Sequence, residues 1–149
     1  MSGQQLYTDV LVPTDGSDAA EAAIDHAIAV AAANDATVHA IYVVDIRVTS
    51  AAADSTRDEL IAHLRREGNT AVERIEQRAK KADLDVETEV TRGTPWKEIL
   101  EYAEETGIDL VVIGTAGKTP REKRMGLGSV SERVVDDASM PVLVIPERR

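Results

Sequence analysis

Five short apolar runs of β type alternate with helical stripes along this chain, and that alternation restricts it to few folds. Asp9–Pro13 (DVLVP) reads as the first strand. Ser17 then caps a helix whose stripe is Ala20, Ala23, Ile24, Ala27, Ile28 and Ala31, spaced three and four, with Asn34 at its end. Thr37–Val44 is the second strand. Strands separated by helices cannot pair as hairpins. They form a parallel sheet with helices on both faces, because each crossover must pack back onto the sheet.

The remaining units follow the same rule. Asp45–Asp54 reads as a connection of about ten residues, long against the usual two to six, and so an adjustable lid or a mobile loop. A long helix is expected over roughly Ser55–Ala82, with Leu60, Ile61, Leu64, Ala71, Val72, Ile75 and Ala79 as its stripe. Gly68 interrupts it at a cost of about 1 kcal/mol against Ala, so a kink or break is expected there. Val86–Thr91 is the third strand. Thr94 and Pro95 open a helix with Trp96, Ile99, Leu100 and Ala103 inward, and Gly107 stops it. Leu110–Ile113 and Pro141–Ile145 are strands four and five. The helix between them starts with the capping box Ser129–Glu132 and turns Val130, Val134 and Val135 inward.

Two strands differ in their charge pattern. VETEVT carries a charge on alternate residues, which guards a sheet edge. VLVI at Val142–Ile145 is continuous and uncharged. It is either buried inside the sheet or an edge covered by a partner.

Composition narrows the function. The 149 residues suit one domain over 1–149, with no internal repeat or linker. The net charge is −10, from 27 acids against 17 bases. A duplex nucleic acid partner is therefore not expected, because phosphate neutralisation needs a basic face. No apolar run approaches the ~20 residues that span a bilayer, and the first residues carry no secretion signal, so the expected location is the cytoplasm without a membrane. Cysteine is absent, which removes disulfide and thiolate chemistry. Abundant acid with only 5 Lys against 12 Arg fits a halophilic style of surface.

Against that acidity, Lys118–Arg124 holds four bases and one acid, a net +3, so the rest of the chain carries −13. This basic island lies between strand four and the helix at Ser129, in a stretch bearing Gly114, Gly117, Gly126 and Gly128. Strand, glycine loop and helix N-terminus in that order bring free N–H groups and a positive dipole end toward an anion. It is not a standard P-loop, since two residues rather than four separate Gly114 from Gly117, and Pro120 follows. Gly126-Leu127-Gly128 lacks the third glycine of a dinucleotide fingerprint. His26, His39 and His63 stand apart and read as surface or hydrogen-bonded core residues. No metal-ligand spacing and no Ser-His-Asp set is evident, so no catalytic residue is assigned.

The combination resembles the universal stress protein family, whose nucleotide-binding members carry Gly-x-x-Gly, nine residues, then Gly-Ser/Thr. Gly114-Thr115-Ala116-Gly117 and Gly128-Ser129-Val130 match both ends, and VLVPTDGS, YVVD, Gly93-Thr94-Pro95, DLVVIGT and PVLVIP fall in family order across essentially the whole chain. The spacing departs by one, with ten residues between Gly117 and Gly128; Gly126 offers the backbone freedom to absorb the extra one.

The resemblance implies a single-domain α/β fold, an open five-stranded parallel sheet ordered 3-2-1-4-5. A ligand would then bind at the switch point between strands one and four. It implies ATP or AMP, with Mg²⁺ arriving with ATP. Pro13, Thr14 and Asp15 would line the adenosine side, with Val43 against adenine and Asp15 toward a ribose hydroxyl or a metal. Gly114, Thr115, Gly117, Gly128, Ser129 and Val130 would form the phosphate side. The same order makes strand five an edge, which predicts a homodimer through Val142–Ile145. The function expected is a stress-response or regulatory nucleotide-binding protein with at most slow ATP hydrolysis. The alternatives are a dimeric interaction protein on the same fold that binds no nucleotide, and a true enzyme, for which no base or substrate pocket is evident.

Overall fold

The computed structural model describes residues 5–17, 20–115 and 129–146. Five strands form one parallel sheet: β1 Asp9–Pro13, β2 Thr37–Asp45, β3 Val86–Gly93, β4 Leu110–Gly114 and β5 Val142–Ile145. Their spatial order is β3-β2-β1-β4-β5, as expected. The helices are α1 Ala20–Asn34, α2 Ile46–Ser50, α3 Asp54–Lys81, α4 Pro95–Thr106 and α5 Ser129–Asp137.

Strand alternation divides the core into two layers. Val10 and Val12 of β1 join Val38, Ala40, Tyr42 and Val44 of β2 against α1 and α3. Leu11 and Ile41 face the other way, against Ile99, Leu100 and Ala103 of α4 and Val134 of α5. Each fully buried Leu or Ile contributes about 1.5–3 kcal/mol relative to exposure. On α1 the fully buried positions are Ala23, Ala27 and Ala31, so the helix lies close to the sheet. Arg78 of α3 pairs with Glu21 and Asp25 of α1 and ties the two helices together along their outer side.

Several local expectations change. α3 runs unbroken through Gly68. A Cβ at Gly68 would sit 2.5 Å from Cδ1 of the buried Tyr42 ring, so glycine serves close packing there and does not break the helix. The Asp45–Asp54 connection contains a helical turn, α2, capped by the Asp45 carboxylate on the Arg47 N–H at 2.9 Å. Ser17 does not cap α1 through its side chain: its carbonyl accepts from the Ala20 N–H, and its Oγ is buried without a partner. Val135 is 40% exposed while Ser131 and Val134 are buried, so α5 is rotated from the expected face. Gly107 ends α4 at φ 72°, the left-handed cap expected of it.

His39 is a hydrogen-bonded core residue. Its Nε2 lies 2.9 Å from Asp9 Oδ1 and its Nδ1 lies 2.7 Å from the Tyr102 hydroxyl. The tautomer that satisfies all three groups carries its proton on Nε2, with Tyr102 donating to Nδ1.

Candidate functional site

The sheet opens at the carboxyl end of β1, and proline causes the opening. Along β1 the odd-numbered backbone groups face β4, as the Asp109 N–H on the Asp9 carbonyl shows. Pro13 therefore has no N–H to offer β4. The β1–β4 ladder stops at Leu11–Val111, whereas β1 and β2 pair through Pro13–Ile41. Beyond that point lies a cavity of about 340 Å³, within the usual range for small-molecule sites.

On the other side of β1, the Thr14 N–H donates to the Ile41 carbonyl at 2.9 Å, and β1 ends. In a parallel strand the backbone groups of alternate residues face the same neighbour. Those of Val43 thus point past the end of β1, and Val43 lines the cavity. Asp15 stands exposed in a tight turn at the rim. Its Oδ1 accepts from the Ser17 N–H at 2.9 Å, and Gly16 adopts φ 80° with its N–H on Thr14 Oγ1 at 3.1 Å.

Of the residues expected at a site, Pro13, Thr14, Asp15, Val43, Gly114, Ser129 and Val130 line this one cavity. β2 and β4 flank β1, so Val43 and Gly114 stand two strand spacings apart, about 10 Å. Thr115 is buried with its N–H on the Ile145 carbonyl at 3.2 Å, and it does not line the cavity. Gly117, Gly128 and the basic stretch Lys118–Arg124 lie outside the described residues.

The cavity also has walls that sequence reading missed. Asp45, Arg47 and Val48 come from the α2 turn, Leu64 from α3, Pro95 from α4 and Ser131 from α5. Arg47 grips Asp45 with two bonds, Nη2 to Oδ2 at 2.7 Å and Nε to Oδ1 at 3.1 Å. Those hydrogen bonds hold the Asp45 carboxyl below its usual range. Burial, and then the charges of Glu67 and Asp15, push the Tyr42 phenol up. The signal for Arg47 was its place just after YVVD, but reading that segment as a loop gave its side chain no direction. Among the described residues no cluster of three His, Asp or Glu is arranged to hold a metal, and no helix is long and apolar enough to cross a membrane.

Known proteins place this geometry in a family. The sequence model of the universal stress protein family matches residues 6–146. Universal stress protein MJ0531 of Methanocaldococcus jannaschii is 43% identical over 145 residues, covering 97% of this chain and 85% of that protein. The solved structure of the hypothetical protein MJ0577 superimposes with a TM-score of 0.85 at 31% identity, covering 97% of this chain and 99% of that one. A universal stress protein solved in complex with cAMP superimposes with a TM-score of 0.65 at 29% identity, covering 94% of this chain and 97% of that one. With its 3-2-1-4-5 sheet, its cavity at the switch point and these likenesses, the chain belongs to the universal stress protein family.

Proposed function

We propose that this protein binds an adenine nucleotide, ATP or AMP, in the switch-point cavity and acts in a stress-response or regulatory role. The observation that carries the reading is the pair of backbone sites about 10 Å apart in one cavity: Val43 beyond the end of β1, and Gly114 with Ser129 beyond β4. That span suits a nucleoside lying across β1, with its base on Val43 and its phosphates toward the start of α5, where helix N–H groups favour an anion. A universal stress protein relative has been solved with cAMP, a ligand of this class.

In this reading Pro13, Thr14 and Asp15 support the ribose, and Asp15 accepts from a ribose hydroxyl. Gly114, Ser129 and Val130 meet the phosphates together with Gly117 and Gly128. Thr115 belongs to the same phosphate side, and its N–H holds the turn on the Ile145 carbonyl. Mg²⁺ accompanies ATP through the phosphate oxygens. Turnover is expected to be slow at most. Asp45 is committed to Arg47, and Asp15 already accepts from the Ser17 amide, so the described walls position a ligand better than they activate water.

The same reading includes a two-fold dimer through β5. Its even-numbered backbone groups face away from β4, because the Pro141 and Ile145 carbonyls accept on the β4 side. That outer edge is uncharged.

Titration calorimetry with ATP and AMP tests the proposal, with and without Mg²⁺ and at low and multimolar KCl. Binding in the micromolar range is expected, and its loss in a Gly128→Val, Ser129→Ala double variant. A folded protein that binds neither nucleotide at any salt would instead point to an interaction module.

A further inference from the structure

Arg47 is the sole Lys or Arg among the described residues lining the cavity. It stands four residues beyond Val43, on the turn that folds back from the end of β2. Its guanidinium plane is set by the two-bond grip on Asp45, which engages the edge of the plane, and the side chain is 65% exposed.

The turn that carries Arg47 is itself fastened at both ends. Asp45 caps its start. At its far end Arg57 Nε donates to the Thr49 carbonyl at 3.2 Å, and Arg57 Nη2 donates to the Ala52 carbonyl at 3.1 Å. Arg92 Nη2 donates to Thr49 Oγ1 at 3.0 Å, and Thr49 is fully buried. The guanidinium is thus presented on a braced support, so little ordering is needed when a ligand arrives.

A purine base needs a flat partner, and the described walls offer few. The chain has no Phe and one Trp, and Trp96 is not among the cavity residues: it packs under Arg133, whose Cζ lies 4.0 Å from its ring centroid. Tyr42 is the one aromatic residue among the described walls, and its ring is pressed against Gly68. Val48 and Leu64 add apolar wall to the same cavity.

We propose that Arg47, oriented by Asp45, is the stacking platform for the base of the bound nucleotide and sets a preference for purine over pyrimidine. The proposal rests on the nucleotide reading above and assigns to α2 the recognition of the base. A guanidinium over an aromatic face contributes by charge and by dispersion, and a larger purine face gains more than a pyrimidine.

The test compares adenosine, ATP and cytidine by calorimetry on wild type, Arg47→Met, Arg47→Lys and Asp45→Asn, with the Gly128→Val, Ser129→Ala variant alongside. Thermal melts confirm that each variant is folded. Arg47→Met is expected to weaken adenosine and ATP by the same factor, about five- to tenfold. The gap between adenosine and cytidine narrows accordingly. Arg47→Lys keeps the charge without the plane and restores little. Asp45→Asn lies between wild type and Arg47→Met. The phosphate-side variant loses ATP while keeping adenosine. A loss confined to ATP would make Arg47 a phosphate contact and overturn the proposal, as would unchanged binding in Arg47→Met. Wild-type protein that binds neither adenosine nor ATP would overturn the nucleotide reading and this proposal with it. Binding that is normal in wild type and insensitive to Arg47 would overturn this proposal alone.

Discussion

Gly68 shows how one missing side chain sets the distance between two elements. Its backbone lies against the Tyr42 ring, and a methyl group there would meet Cδ1 at 2.5 Å and Cγ at 3.0 Å. The ring is 8% exposed and has little room to withdraw. Gly68→Ala is therefore expected to destabilise the fold by about 1–3 kcal/mol, despite the better helix propensity of Ala. Urea unfolding measures the difference, and a stabilised variant would refute the packing argument. Tyr102 offers a second single-residue test. Burial, followed by the charges of Glu87, Glu89 and Asp9, pushes its phenol up to about 12 from 10.0. The folded state holds this proton more tightly than the unfolded state. Its contribution is complete below pH 10.0 and is lost as the pH rises through about 12. The expected loss of stability across that window should shrink in Tyr102→Phe. That variant also leaves His39 Nδ1 without its donor and costs about 1 kcal/mol at neutral pH.

α2 is an element that the sequence does not announce. IRVTS is short and rich in β-branched residues, with no apolar stripe. Tertiary contacts make it a helix: Arg57 from α3 satisfies carbonyls at its end, and Arg92 from β3 holds Thr49. Arg57→Met should free the turn. Amide exchange across residues 46–50 is expected to accelerate at least about tenfold while the global melting temperature moves little. Unchanged exchange would show that Arg92 and the Asp45 cap suffice. The Asp45–Arg47 pair also carries a pH signature. Hydrogen bonding to Arg47 lowers the Asp45 value in the folded state. The pair's contribution is thus present above the ordinary Asp range and is lost only as the pH falls through the depressed folded value. Unfolding free energy should therefore fall less on acidification below the ordinary Asp range in Asp45→Asn than in wild type.

The sheet edge and the surface charge act on the molecule as a whole. Val144 directs its N–H away from β4, so Val144→Pro removes a donor from the outer edge while leaving the β4 ladder in place. Sedimentation should show a dimer in wild type and a monomer in this variant, with unchanged circular dichroism; a wild-type monomer would remove the dimer from the proposal. An excess of ten acids repels itself across the surface, so the unfolding midpoint is expected to rise from low salt to multimolar KCl. A flat or falling midpoint would count against salt adaptation.

The amino-acid sequence alone determined the strand–helix alternation and the bounds of most elements. It also supplied the stripes of α1 and α3, the Gly107 stop and, through its family resemblance, the sheet order. These depend on local periodicity and backbone preference, which neighbouring residues express without the rest of the fold. Strand direction put Asp15 and Gly114 at the carboxyl edge, and the family resemblance added Pro13, Val43 and Ser129. The sequence did not reveal why Pro13 opens the sheet, since that depends on which neighbour its missing N–H faces. Nor did it reveal the role of Gly68, the rotation of α5 that exposes Val135, or the α2 turn that brings Arg47 to the cavity. The role of Gly68 and the shape of the α2 turn are decided by contacts between residues far apart in the chain: Tyr42 against Gly68, and Arg92 on Thr49. Such contacts exist only once the sheet has assembled and fixed the distances between its strands and helices.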